Sequence, residues 1–400
     1  MEKVDYLIIG GGIVGLSTAY QILKENKNIN LIVLEKEDKI SMHQTGRNSG
    51  VIHSGLYYKP GSLKAINCIK GRKELLDFCL EFEVPFEKSI KLIVAADERE
   101  LPGLQELEKK GIANGVEGLE VISKEEAKEI EPHIDSIQAL KVPNCQIIDY
   151  LDVSKELRKQ IEYLGGKVLL NQRVIGIDDK NDEILINTQK DSFRAKKLIN
   201  AAGLYSDRIA KMAMPNNKIP IKIIPFRGEY YELKDEKKHL VKGLVYPVPD
   251  PKFPFLGVHL TKMIDGSVHA GPNAVFAFSR EGYKKRDINF RDLIESLSYP
   301  GFIRIGLKYW KMGLFEMYRS FSKKAFLKSL QRMLSEIEID DIVPGPSGIR
   351  AQAVDRKGKL LDDFEILKEN NQVHVLNAPS PAATASFAIG RHIASLATKE

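Results

Sequence analysis

Three glycines and one carboxylate, Gly10, Gly12, Gly15 and Glu35, have the types and spacing that hold the pyrophosphate and ribose of a dinucleotide. In G-x-G-x-x-G the first glycine permits a tight turn, the second lets backbone approach the pyrophosphate, and the third lets a helix pack on a strand. Glu35, twenty residues past Gly15, is placed to accept hydrogen bonds from ribose hydroxyls and to repel a 2′-phosphate. That favours the adenosine diphosphate half of FAD or NAD over NADP. A glycine fingerprint alone is a weak signal, but here the elements that must position it are in register. The stretch DYLIIGGGIVGLSTAYQILKENKNINLIVLE predicts a buried strand at Tyr6 to Ile9, a glycine turn, a helix over about Ile13 to Lys24 and a second strand at Leu31 to Leu34. The helix N-terminus then turns unpaired N–H groups toward the phosphates.

The 400 residues, 43% hydrophobic and 28% charged, suffice for a large core and two or three domains. Cys68, Cys79 and Cys145 are scattered without metal-ligand spacing, which points to a reducing compartment and no metal. A fingerprint starting at Asp5 leaves no room ahead for a targeting peptide, and no run of about 18 apolar residues follows. The expected location is the cytoplasm, with peripheral contact on the cytoplasmic face of the inner membrane as the refinement. Net charge is +6. Part of that excess lies between Tyr299 and Arg332, where eight basic residues face the single acid Glu316. Phe302, Ile305, Trp310, Leu314 and Phe315 are interleaved with them, a pattern suited to a membrane interface or to a helical hairpin packed on its own domain. No recognition motif accompanies the charge, so nucleic acid is not an expected partner.

Along the chain, HQTGRNSGVIHSGLYYKPGSLKA (residues 43–65) reads as a functional glycine-rich loop. Helical periods follow at Leu63 to Phe82, Leu101 to Asn114 and Ser123 to Ile130, the last opened by a Ser123/Glu126 capping box. Asp152 is the expected cap of a helix ending at Tyr163. The strand Lys196 to Asn200 ends in Ala201-Ala202-Gly203, small enough for close ligand approach. Residues 220–277 read as strand-like pieces, FPFLGVHLTK among them, separated by Pro and Gly, and imply antiparallel sheet. At the end, NAPSPAATASFAIG predicts a helix whose first turn holds Pro381, Ala382 and Ala383. The implied fold is α/β: a Rossmann-like nucleotide-binding domain assembled from three separated segments, with an inserted α+β antiparallel-sheet substrate domain. The cofactor domain is expected from 1–85, 146–216 and 340–400, and the substrate domain from 86–145 and 217–339.

The 43–65 loop, taken with AAGLYSDRIA, PFRGEYY, YPVPDPKFPFLGVHLT, GPNAVFAF, GIRAQAVDRKG and NAPSPAATASFAIG, resembles the L-2-hydroxyglutarate oxidases/dehydrogenases of the D-amino-acid-oxidase-like family, essentially end to end. The resemblance implies FAD bound in a glutathione-reductase-type FAD-binding domain, oxidation of L-2-hydroxyglutarate to 2-oxoglutarate, electron transfer to a quinone or oxygen, and frequent membrane association. It also places cofactor contacts at Gly10, Gly12, Ile13, Val14, Gly15, Glu35 and Lys36. Further contacts are expected from Arg47, Asn48 and Ser49, from Val174, from Ala202 and Gly203, and from Ala382, Ala383 and Thr384. Hydride leaves the α-carbon for flavin N5 while a base takes the hydroxyl proton. Histidine, with an ordinary pKa of about 6.5, suits that base, and His53 and His259 are the two candidates. His374 reads as structural. A diacid substrate calls for a guanidinium: Arg350 first, then Arg227 and Arg47, with Tyr57, Tyr58 and Tyr246 as hydroxyl donors. Two other functions compete: an amine oxidase acting on glycine or sarcosine, and a basic nucleotide-binding protein of the membrane surface without turnover.

Overall fold

A computed structural model of the chain describes residues 1–180, 183–214, 216, 218–250 and 256–398. Among these residues two sheets carry the architecture. The strand Glu2–Ile9 is central to the first, parallel to Leu31–Leu34 on one side and to Ser192–Asn200 on the other. Lys167–Leu169 extends the parallel run beyond Leu31–Leu34, and Gln372–Asn377 pairs parallel with the end of Ser192–Asn200. A parallel sheet is covered on both faces, so its strands are apolar throughout rather than alternating. Leu7, Ile8, Leu31, Ile32 and Val33 are accordingly fully buried. The helices Ile13–Glu25, Leu63–Glu81, Tyr150–Tyr163 and Ser386–Thr398 contribute to the core on one face. The helix Ser206–Ala213 and the antiparallel pair Val174–Lys180 and Glu183–Thr188 contribute to the core on the other.

The second sheet has ten strands. It runs from Val275–Phe276 through Ile221–Leu233, Val268–Gly271, His259–Lys262, Leu244–Pro247, Phe86–Ala95 and Gln138–Ile148 to Val51–Ile52. Pairing is antiparallel except between Leu244–Pro247 and Phe86–Ala95. The first residues of the expected FPFLGVHLTK piece, 253–255, lie outside the described residues. The strand Ile342–Asp355, inside the segment expected on the cofactor side, joins this second sheet along nearly the whole of Ile221–Leu233. Sequence could not show this, because a strand's partner is a matter of register with residues more than a hundred positions away.

Two local expectations are corrected. The helix Tyr150–Tyr163 is capped by Asp149, whose side chain accepts from the Leu151 N–H. Asp152 lies in its first turn and pairs with Lys155. The last helix begins at Ser386, so Pro381, Ala382 and Ala383 form a turn before it rather than its opening.

Candidate active site

The carboxyl ends of the parallel strands open into one cavity of about 1760 Å³, whose far wall belongs to the second sheet. That volume exceeds the several hundred Å³ typical of one drug-sized ligand. It leaves room for a dinucleotide with a small acid beside it.

At the near end the backbone itself makes the site. Gly10 has φ +116°, and a Cβ there would lie 2.4 Å from the Ala201 carbonyl oxygen. Gly12 caps the helix Ile13–Glu25 without a side-chain partner, and the Ile13 N–H donates to Thr45 Oγ1 at 3.1 Å. Gly15 does not line the cavity. Its role is packing, since a Cβ there would sit 2.1 Å from the Gly10 carbonyl oxygen. Glu35 is 7% exposed and is fixed by the Gly11 and Glu37 N–H groups, which donate to its two carboxylate oxygens.

Next to Glu35, Lys36 forms ion pairs with Glu37 and Glu281, and its ammonium is 3.0 Å from His43 Nε2. Glu37, His43 and Glu281 have the grouping of a metal site. The Lys36 ammonium, paired to both carboxylates, already occupies the cation's place between them and offsets half of their charge. Arg47 stacks its guanidinium over the Tyr283 ring at 4.0 Å, and Asn48 bridges backbone within its own loop to Thr45 and Gly50. These contacts, with Val14, Ser49, Val174, Ala202 and Gly203, line the near and middle cavity.

At the other end the 43–65 loop meets the last loop. Thr384 Oγ1 accepts from the His53 N–H at 3.1 Å and is 3.0 Å from the Tyr150 hydroxyl, so one buried threonine fixes both loops. Ala382, Ala383 and Thr384 line the wall beside His53. From the second sheet come Tyr246, His259, Tyr230 and Arg350. The His259 ring stacks on Tyr246 with centroids 3.9 Å apart, and its Nδ1 is 2.8 Å from the Gly257 carbonyl oxygen. A donor Nδ1–H to that carbonyl leaves Nε2 as the free base. Burial, helped by the nearby Lys91 charge, pushes His53 and His259 down to about 3. Both imidazoles are therefore neutral, the form able to accept a proton. The Tyr57 hydroxyl is buried at the cavity with no hydrogen-bond partner, as expected of a donor whose acceptor is a ligand.

His53, His259 and Arg350, from three distant segments, thus share one cavity, with Tyr57 and Tyr246 beside them. Arg227 is not brought there. It is 4% exposed, pairs with Glu229 at 2.9 Å and donates to the Gly282 carbonyl at 3.2 Å. His374 is fully buried between Asn200 and Gln372, away from the cavity. Sequence reading missed Tyr230, Thr45 and Lys91. Tyr230 lies in PFRGEYY and Thr45 in the 43–65 loop, but nothing in either stretch singles the residue out, while Lys91 left a faint signal as a lysine directly before the apolar run Leu92 to Ala95.

The model for the FAD dependent oxidoreductase family matches residues 5–396. The chain is 52% identical over 393 residues to an L-2-hydroxyglutarate dehydrogenase of Indibacter alkaliphilus, covering 98% of each. It is 42% identical to the human mitochondrial L-2-hydroxyglutarate dehydrogenase, covering 98% of this chain and 88% of that one. Among solved structures, the dithionite-reduced L-alpha-glycerophosphate oxidase of Mycoplasma pneumoniae with FAD bound superposes with a TM-score of 0.81. It is 26% identical and covers 100% of this chain and 96% of that one. The residues present fit FAD: a glycine turn that a Cβ would block, a fixed carboxylate for ribose, and a cavity continuing to the Ala382–Thr384 wall. This protein is an FAD-dependent oxidoreductase and belongs to the L-2-hydroxyglutarate dehydrogenase family.

Proposed function

We propose that the protein oxidises L-2-hydroxyglutarate to 2-oxoglutarate. The observation that carries the reading is the convergence of two neutral histidines, a guanidinium and an unpartnered tyrosine hydroxyl at the end of the cavity remote from the glycine turn. FAD, when bound, would supply a hydride acceptor at flavin N5, with a quinone or oxygen as the final acceptor of the electrons. Gly10, Gly12, Ile13, Val14 and Glu35 hold the adenosine diphosphate half, and Lys36, Arg47, Asn48 and Ser49 order the loop beside it. Ala202, Gly203 and Val174 would hold the middle of FAD, and Ala382, Ala383 and Thr384 would hold its ring end.

His259 takes the substrate hydroxyl proton at Nε2, its tautomer set by the Gly257 carbonyl. His53, tied through its N–H to Thr384, is the alternative base. Arg350 receives a substrate carboxylate, and the Tyr57 and Tyr246 hydroxyls orient it. The cofactor domain then comprises 1–85, 146–216 and 340–400, and the substrate domain 86–145 and 217–339. The strand Ile342–Asp355 carries Arg350 from one to the other.

The test is the visible spectrum of the holoenzyme without oxygen. L-2-hydroxyglutarate should bleach the flavin, while its D-enantiomer, glycine, sarcosine and L-glycerol 3-phosphate should not. Bleaching by an amine instead would overturn the reading. His259→Asn should slow flavin reduction on the order of 10²- to 10⁴-fold; an unchanged rate in both His259→Asn and His53→Asn would remove the base assignment.

The reading includes contact with a membrane surface through 299–332. The helix Pro300–Phe321 exposes Ile303, Leu307, Trp310, Leu314, Tyr318 and Phe321, with Phe290, Ile294 and Leu297 exposed on the preceding helix Phe290–Leu297. Lys308 lies over the Tyr309 ring and Lys311 over the Trp310 ring. Apolar side chains with flanking cations match an anionic lipid interface. No helix among the described residues is long and apolar enough to cross a membrane. Replacing Trp310 and Phe315 by serine should abolish co-flotation with vesicles containing anionic lipid, and retained flotation would remove the contact.

A further inference from the structure

Behind the tyrosine wall of the cavity lies a charge to which the reaction as drawn gives no role. Lys91 is 1% exposed. It sits on the strand Phe86–Ala95, on the same face as Ile93 and Ala95, since alternate residues of a strand point the same way. Its ammonium lies 4.5 Å from the centre of the Tyr246 ring and 5.7 Å from that of Tyr57, and both rings line the cavity. No carboxylate pairs with it among the described residues. The other ionisable groups around it cannot neutralise it. Cys68 and Cys145 are buried thiols whose pKa burial raises, and the Tyr57 and Tyr246 phenols are raised as well. A buried ammonium facing only neutral groups and two aromatic rings is costly to the free protein, and burial accordingly pulls the Lys91 pKa below the ordinary lysine value. A dianion arriving in the cavity would supply what it lacks.

We propose that Lys91 is a specificity-determining residue, a buried counter-charge that makes the cavity select dicarboxylates over monocarboxylates through the Tyr57 and Tyr246 rings. A cation over the face of a phenol draws electron density from the ring and makes its hydroxyl a stronger donor. The Tyr57 hydroxyl, without a partner in the protein, carries that effect to a substrate carboxylate. Lys91 itself does not line the cavity, so it is a positioning residue that acts through its neighbours. This role rests on the dicarboxylate reading of the site and deepens it.

The experiment compares wild-type holoenzyme with Lys91→Met and Lys91→Gln, reading the shift of the flavin spectrum on titration with two unreactive acids of equal carbon number, glutarate and pentanoate. Wild type should prefer glutarate. Both variants should bind glutarate more weakly, on the order of tenfold for one charge acting across a few ångströms beyond contact. Pentanoate affinity should change by less than about twofold, because its second end carries no charge. The midpoint of thermal unfolding of unliganded Lys91→Met should rise, since an uncompensated charge has left the interior and no polar atom replaces it. Equal losses for the two acids, a retained glutarate preference, or a Lys91→Met protein that unfolds earlier or does not accumulate folded would overturn the proposal, because each marks a packing role instead. Anaerobic bleaching of wild type by L-2-hydroxyglutarate, run alongside, isolates the substrate reading. Bleaching with the preference kept in both variants sinks only the role of Lys91. A glutarate preference that the variants lose, with no bleaching in wild type, sinks only the substrate.

Discussion

At the scale of single residues, the site is built from groups that the protein leaves incompletely satisfied. The Tyr57 hydroxyl has no partner, and Lys91 has no counter-ion among the described residues. In an ordinary core each would be a fault, because a buried polar atom without a hydrogen bond costs about 1–3 kcal/mol. Tyr57→Phe should therefore leave thermal stability unchanged or raise it while increasing KM for the substrate, and steady-state kinetics with a parallel thermal melt will check the pair of effects. A lower melting point with unchanged KM would mean that the hydroxyl serves the fold. Gly10 is the opposite case, fully committed by geometry. With φ at +116° and the Ala201 carbonyl oxygen 2.4 Å from where a Cβ would stand, Gly10→Ala should yield protein with little bound flavin, read as the ratio of visible to ultraviolet absorbance.

At the scale of elements, the helices around the first sheet owe their placement to close backbone approaches that few residue types permit. Gly390 of the helix Ser386–Thr398 lies against the backbone of Ser17 in Ile13–Glu25, where a Cβ would be 2.8 Å from the Ser17 carbonyl carbon. Gly390→Ala gains about 1 kcal/mol of helix propensity and loses about 1–3 kcal/mol to overpacking. Because the contact is backbone and cannot swing aside, the loss should win by about 1 kcal/mol or more in urea unfolding. The cap of Lys124–Ile130 works locally instead. Ser123 accepts from the Glu126 N–H while Glu126 accepts from Ser123, a pairing visible in four letters of sequence. Asp149 and Asp152 show the limit of such reading. Both are followed by a helical pattern, and only the path of the chain leaving the strand Gln138–Ile148 decides which one reaches the first free N–H groups.

At the scale of the whole molecule, burying histidines makes stability depend on pH. His259 and His374, at 6% and 0% exposure, are pushed by burial from 6.5 to about 3 and about 4. The unfolded chain takes up their protons as pH falls below about 6.5, whereas the folded protein stays neutral there until about 3 to 4. Stability is thus undiminished above 6.5 and is lost as pH falls from 6.5 toward 4, each histidine contributing a slope approaching about 1.4 kcal/mol per pH unit. Urea unfolding between pH 7 and 5 should show this slope reduced in His259→Asn. An unaltered slope would mean that the imidazole is already protonated in the fold.

What the sequence determined by itself is what short-range physics writes into neighbouring residues. The strand, glycine turn, helix and acid from Tyr6 to Glu35 follow from apolar runs, backbone permissiveness and one carboxylate at a fixed interval, and the structure keeps the Leu31–Leu34 strand and the helix start at Ile13 as read. The end-to-end resemblance supplied the family, because its motifs, the glycine-rich 43–65 stretch among them, are spelled in contiguous residues. Tertiary structure alone decided which polar side chains share a cavity. Arg227 and Arg350 look alike in sequence, on strands that pair with each other, and Phe226 lies opposite Arg350 while Arg227 lies opposite Ile349. Side chains on a strand alternate between its faces. A single residue of register therefore turned one arginine toward the cavity and the other into an ion pair with Glu229.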